Sequence, residues 1–122
     1  MNQITKLFFA VLLALTFAGC ASYSPTKMAG GVMVDNAGMT LYTFDKDTAN
    51  SGKSVCNGPC LALWPAVAPS GETSSDYSVI TRDDGTKQLA YKGKPLYLFA
   101  KDQKPGDMLG DNVKDVWHVI KQ

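Results

Sequence analysis

Gly38-Met39-Thr40-Leu41-Tyr42-Thr43-Phe44-Asp45-Lys46-Asp47 and Gly93-Lys94-Pro95-Leu96-Tyr97-Leu98-Phe99-Ala100-Lys101-Asp102 are two copies of one phrase, identical at six positions under a constant offset of 55. Trp64 and Trp117 follow the two copies at nearly equal distances. Half a domain of this size cannot bury its apolar face alone, so two copies imply one pseudo-twofold domain with a shared core to which each half gives a tryptophan. Inside each copy the alternation has period two: Tyr42 and Phe44 lie on one face opposite Leu41 and Thr43, and Tyr97 and Phe99 lie opposite Leu96, Leu98 and Ala100. That period belongs to a strand.

Outward from the repeat, no stretch beyond residue 30 keeps apolar residues at helical spacing for three turns. Short β-branched and aromatic runs recur between Gly, Pro, Asn and Asp clusters. The expected fold is mainly β, a small single domain of antiparallel strands built from two pseudo-symmetric repeats at about 32–67 and 87–120. Strands are expected at Val32–Val34, Thr40–Phe44, Tyr77–Arg82, Lys87–Tyr91, Leu96–Ala100 and Val116–Ile120, with a hairpin turn at Asp83-Asp84-Gly85. Asp47 and Asp102 fall just past their strands, where a carboxylate can accept amide hydrogen bonds from the following turn. This structural role ranks ahead of ligand binding, since such carboxylates usually satisfy backbone donors.

The start of the chain has the three parts of an export signal: Lys6, an apolar run from Leu7 to Leu15, and small residues Ala18 and Gly19 ahead of Cys20. A helix over 7–19 rises only about 20 Å, short of a hydrocarbon core about 30 Å thick. Ala18-Gly19-Cys20 resembles the lipobox of bacterial lipoproteins, which implies a diacylglycerol on the Cys20 thiol, cleavage after residue 19 and acylation, palmitate included, of the new terminus. The resulting division is 1–19 as lipoprotein signal peptide, 20–31 as lipidated N-terminus and tether, and 32–122 as the two-repeat domain. Ala21 lacks the Asp that resembles an inner-membrane retention signal, so a host with two membranes would send the protein to its outer membrane.

Cleavage removes one of 12 basic residues and none of the 11 acidic ones, leaving mature side chains that balance with His118 neutral. The basic residues are scattered along the chain, which argues against nucleic acid as a partner. Of three cysteines, lipidation takes Cys20 and leaves Cys56 and Cys60 to pair in an oxidising compartment. The five-residue loop so closed would add about 2 kcal/mol by chain entropy.

The spacing Tyr-x-Phe-x-x-Asp, at Tyr42, Phe44, Asp47 and again at Tyr97, Phe99, Asp102, resembles the bacterial family of secreted repeats with a Y-X4-D motif, also described as predicted lipoproteins with a Yx(FWY)xxD motif. Two ordered copies, a Cys-x-x-x-Cys followed by Trp64-Pro65, and the lipobox carry the resemblance over nearly the whole chain. It implies export and a repeat-built fold, and it brings no activity with it.

Other chemistry is thin. The single histidine, His118, sits between Trp117 and Val119 in an expected strand, which excludes any site needing two imidazoles and reads as structural. A zinc site from Cys56, Cys60, His118 and a carboxylate would need thiols that stay reduced outside the cell. Asp45-x-Asp47-x-x-Asn50 offers oxygen ligands without an EF-hand loop. Ser51-Gly52-Lys53-Ser54 looks like the end of a phosphate-binding loop but has Asp47 where the first glycine belongs. No cofactor is implied. The expectation is a membrane-anchored extracytoplasmic lipoprotein, a non-catalytic binding or structural module meeting an envelope protein, polymer or small ligand; the alternative is a redox or metal-linked protein using Cys56 and Cys60.

Overall fold

The computed structural model describes residues 24–71 and 74–122; the expected signal peptide and Cys20 lie outside them. The domain is mainly β and antiparallel. Strands β1 (Thr26–Ala29) and β2 (Val32–Asp35) form a hairpin, β3 (Tyr42–Phe44) pairs with β7 (Trp117–Val119), and β4 (Tyr77–Thr81), β5 (Lys87–Tyr91) and β6 (Lys94–Pro95) form a three-stranded sheet. The helical pieces are one turn of helix, α1 (Pro59–Leu63), and a 3₁₀ turn at Val113–Asp115.

The two copies exchange their last segments. Tyr42 and Tyr97 sit opposite each other and trade both backbone hydrogen bonds at 2.9 Å, which marks the pseudo-twofold axis. On one side of it β3 of the first copy pairs with β7 of the second, in the register Tyr42 to Val119, Thr43 to His118 and Phe44 to Trp117. On the other, the second copy's central segment bonds to the end of the first: Leu98 N–H donates to Pro65 O at 2.7 Å and Ala100 N–H to Leu63 O at 2.8 Å. Each copy also brings a hairpin, β1–β2 or β4–β5.

Packing follows the period-two reading. Tyr42, Tyr97, Phe99, Trp64, Trp117, Val32, Val34, Val119 and Cys56 form one buried cluster, with Phe44 partly buried against it. Met33, Leu41, Leu89 and Leu96 form a second cluster from the alternate positions. Four rings of the first stack in sequence. Phe44 lies on Trp117 at 4.1 Å between centroids, Trp117 on Trp64 at 3.8 Å, and Trp64 on Phe99 at 4.1 Å, so the copies alternate along the stack. Tyr42 meets Trp64 edge-on and Tyr97 meets Trp117 edge-on.

The structure moves several boundaries. Residues 26–31, read above as tether, are β1 and its turn; Gly30 and Gly31, at φ 61° and 85°, supply the left-handed pair that a two-residue hairpin loop needs. The strand left no hydrophobic alternation because β1 is exposed except at Thr26. Leu96–Ala100, expected as one strand, is instead extended chain beyond the short β6, because its partners on either side each bond it over only a residue or two. Arg82, expected to end β4, leaves the strand and is buried.

Gly110 lies where the stack needs room. A Cβ there would stand 2.7 Å from the Trp64 ring and 3.0 Å from Phe99, whereas one at Gly106 would meet nothing. Gly110→Ala should therefore cost about 1–3 kcal/mol through overpacking. Denaturant unfolding that found Gly110→Ala as stable as wild type would show that the stack yields freely.

Candidate functional site

The repeat motif builds a crossed latch rather than an open site. The Tyr42 hydroxyl of the first copy donates to Asp102 Oδ2 of the second at 2.6 Å, and the Tyr97 hydroxyl of the second donates to Asp47 Oδ2 of the first at 2.5 Å. The other carboxylate oxygen pins the following loop, accepting Leu109 N–H at Asp102 (2.9 Å) and Val55 N–H at Asp47 (2.7 Å). Each phenol has one more partner: Gly110 N–H donates to Tyr42, and the Ser54 hydroxyl pairs with Tyr97. Sequence spacing showed both carboxylates near the turns they pin. It could not show that each phenol belongs to the opposite copy.

Burial, then the Asp102 hydrogen bond, raises the Tyr42 phenol well above its ordinary value, and burial with the Asp47 hydrogen bond does the same for Tyr97. Asp47 is also raised, chiefly by burial, against the opposing pull of Tyr97, Val55 N–H and the Arg82 charge.

Beside the Tyr97 half of the latch lies the clasp. Cys56 and Cys60 are joined by an S–S bond of 2.06 Å, with Cys56 wholly buried. Sequence reasoning missed what grips it. Arg82, 2% exposed, donates to Cys56 O, to Asn57 Oδ1 at 3.0 Å and to Gln88 Oε1 at 2.6 Å, while Gln88 donates on to Leu96 O at 2.7 Å. This buried network fastens the disulfide loop to the β4–β5 hairpin. Nothing at the sequence level distinguishes Arg82 from a surface arginine ending a strand.

The two carboxylates of the Asp45-x-Asp47-x-x-Asn50 run separate. Asp47 faces Tyr97, whereas Asp45 Oδ2 lies 2.8 Å from His118 Nε2 on the opposite side of the strand. His118 belongs to β7, yet its side chain is 34% exposed; period two turns it away from its buried neighbours Trp117 and Val119. Its Nδ1 lies 3.1 Å from Asn112 Oδ1.

His118 and Asp45 line an open groove of about 400 Å³ with Thr43, Tyr91, Lys92 and Lys94. Here two lysines, a histidine and an aspartate converge around one cavity. The contributors come from β3, β7 and the β5–β6 turn, so their nearness depends on the strand exchange and has no signature in linear spacing.

The model of a secreted repeat of unknown function matches residues 25–68 and again 78–121, and the chain belongs to that family. Both matches take in the hairpins that precede the Tyr-x-Phe-x-x-Asp phrases, which extends the repeats beyond 32–67 and 87–120. No curated protein and no solved structure matches the chain.

The latch makes three measurable statements. Removing a phenol leaves a buried carboxylate short of a donor, so Tyr42→Phe and Tyr97→Phe should each cost about 1.5–3 kcal/mol. Double-mutant cycles should find coupling of about 0.5–3 kcal/mol for Tyr42 with Asp102 and for Tyr97 with Asp47, and none for Tyr42 with Asp47. Within-copy coupling instead of crossed coupling would refute the exchange. For pH, both phenols are raised in the folded state, so their contribution is whole below the unfolded value of about 10 and is lost above it. Unfolding followed against pH should show stability falling above about pH 10, and less steeply in the phenylalanine variants.

Proposed function

Starting from membership in a secreted-repeat family, we propose that this chain is a lipid-anchored extracytoplasmic module that works by binding and not by turnover. The observation that carries the reading is the crossed latch. The motif's phenols and carboxylates are engaged with one another and with loop amides inside the fold, so its most reactive groups serve architecture. The Cys56–Cys60 bond likewise closes a gripped loop with one sulfur wholly buried, which supports a structural clasp over exchange chemistry.

The anchor reading rests on Ala18-Gly19-Cys20, and two or more acyl chains would hold the protein lastingly. The tether is short. Ser24 is already part of the described domain and follows Cys20 by four residues, a reach of at most about 14 Å. The domain therefore works against the bilayer surface, on the outer membrane where the host has two. No helix among the described residues is long and apolar enough to cross a membrane.

Cells fed labelled palmitate should yield labelled protein in the membrane fraction, and Cys20→Ser should abolish both label and sedimentation with membranes. Label retained by the variant would sink the anchor. The non-catalytic reading fails if the pure protein turns over a substrate and Asp47→Asn abolishes turnover without moving the Tm.

A further inference from the structure

The groove beside His118 has a counterpart across the pseudo-twofold axis, and the two differ in chemistry. The counterpart, about 440 Å³, is lined by Ala37, Ala66, Val67 and Leu98, with Asp35 and Asn36 at its polar side and no basic residue. Under the repeat offset of 55, Lys92 corresponds to Ala37, Lys94 to Met39, Thr43 to Leu98 and Asp45 to Ala100. Under the offset of 53 that relates Trp64 to Trp117, His118 corresponds to Pro65. The same scaffold thus folds with small or apolar residues at these places. Nothing in the architecture demands that two lysines, a histidine and an aspartate meet in one groove.

The lysines are also held there. Lys92 takes a left-handed backbone, φ 50°, at a turn position where Asn, Asp or Gly would sit with less strain. Its amide donates to Asp76 O at 2.7 Å, and the next residue, Gly93, accepts Asn50 N–H at 2.9 Å so closely that a Cβ would stand 2.1 Å from Asn50 Oδ1. The turn is clamped from two sides. Lys92 Nζ lies 5.3 Å from the Tyr91 ring centroid, and Lys94 is the cross-strand partner of Tyr91. Among the described residues the ion pairs are Lys53–Asp83, Lys104–Asp107 and His118–Asp45. Among the described residues the two groove ammoniums have no carboxylate partner within ion-pair distance, and the groove's one carboxylate is already engaged by His118.

Two ammoniums without arginine suit a tetrahedral phosphate as point charges, where a planar carboxylate would favour a guanidinium fork. Position names the source. Thr26 near the start of the described chain hydrogen-bonds the Tyr77 hydroxyl, Tyr77 packs on Tyr91 at 5.2 Å, and a cavity lined by Ser24, Thr26, Tyr77 and Tyr91 adjoins the groove through Tyr91. We propose that the Lys92–Lys94–His118 groove seats the phosphate of an anionic lipid headgroup, giving the anchored domain a second hold on the bilayer and a fixed orientation. This rests on the lipid-anchor reading above, because only a chain tethered at Cys20 brings this end of the domain to the headgroups.

The test uses the lipidated mature protein in phosphatidylcholine vesicles with and without phosphatidylglycerol. Amine acetylation at Lys92 and Lys94, and diethyl pyrocarbonate modification of His118, the single histidine, are read by mass spectrometry. Phosphatidylglycerol should slow modification at Lys92 and Lys94 roughly fivefold, from the attraction of one lysine to an anionic surface, while Lys53 and Lys87 react as before. His118 should be protected in parallel, and salt should release the protection. In Lys92→Gln/Lys94→Gln, His118 should react equally in both vesicles at an unchanged Tm. Equal reactivity of the wild type in both vesicles, or uniform protection of all four lysines, overturns the proposal. Protection by dissolved glycerol 3-phosphate but not by phosphatidylglycerol overturns the lipid source and assigns the groove to a soluble phosphate ester. Palmitate labelling of Cys20 is scored separately, so loss of the groove leaves the anchor reading standing, and loss of the anchor shows in the label.

Discussion

The interaction on which the structure depends is the reciprocal bond between Tyr42 and Tyr97. Their backbones close a pair on the axis, and each phenol then crosses to the other copy's aspartate. Once the two are opposed, neither copy can complete itself: its carboxylate waits for the other's hydroxyl and its tryptophan for the other's phenylalanine. A neutral hydrogen bond in water contributes little, but a phenol and a carboxylate desolvated together leave a costly orphan when either is missing. That asymmetry makes the latch a specification of pairing as well as a source of stability. The ring stack says the same in apolar terms, since every stacked contact in the run Phe44–Trp117–Trp64–Phe99 joins one copy to the other.

How much of this was legible follows from what each feature requires. The strand faces were readable because alternation survives wherever one side of a strand is buried, as at Leu41 against Tyr42. The repeat was readable because the latch needs Tyr, Phe and Asp at fixed spacing. Strand β1 was not, since an exposed edge strand with one buried residue carries no alternation. The crossing itself was hidden because a Tyr-x-Phe-x-x-Asp phrase is equally compatible with a phenol bonding its own aspartate five residues on. Geometry excludes that option: period two points Tyr42 at the axis, while Asp47 has passed into the next turn to collect the Val55 amide.

His118 shows what alternation adds when it is followed residue by residue. Its neighbours Trp117 and Val119 are buried, and a histidine between them looks structural. The same alternation, applied strictly, puts the middle residue on the opposite side, where Thr43 is its cross-strand partner and Asp45 its hydrogen-bond partner. Arg82 is harder. A buried cation held by neutral acceptors, Gln88, Asn57 and the Cys56 carbonyl, depends on docking the β4–β5 hairpin against a loop some 25 residues earlier. Burial without a paired carboxylate is tolerable because a guanidinium spreads its charge over several donors: Nη1 and Nη2 here find three oxygens, while the buried Nε has no hydrogen-bond partner among the described residues.

A duplicated scaffold separates what the fold needs from what it merely permits. Positions that repeat are under architectural constraint here: the tyrosines, phenylalanines, aspartates and tryptophans take equivalent places in the latch and the stack. Positions that diverge are free of that constraint, and one set of them gathers on one surface: the groove of Lys92, Lys94, Thr43, Asp45 and His118, whose sequence equivalents are Ala37, Met39, Leu98, Ala100 and Pro65. Asp45 and His118 answer each other, but the two lysines stand where the equivalent residues are Ala37 and Met39, and no ion pair among the described residues accounts for them. Lys92 carries its ammonium on a clamped turn in the left-handed region, which adds backbone strain of its own. The sequence alone gave the opposite impression, scattered lysines and a balanced net charge, because the strand exchange brings β7 alongside β3 and next to the β5–β6 turn.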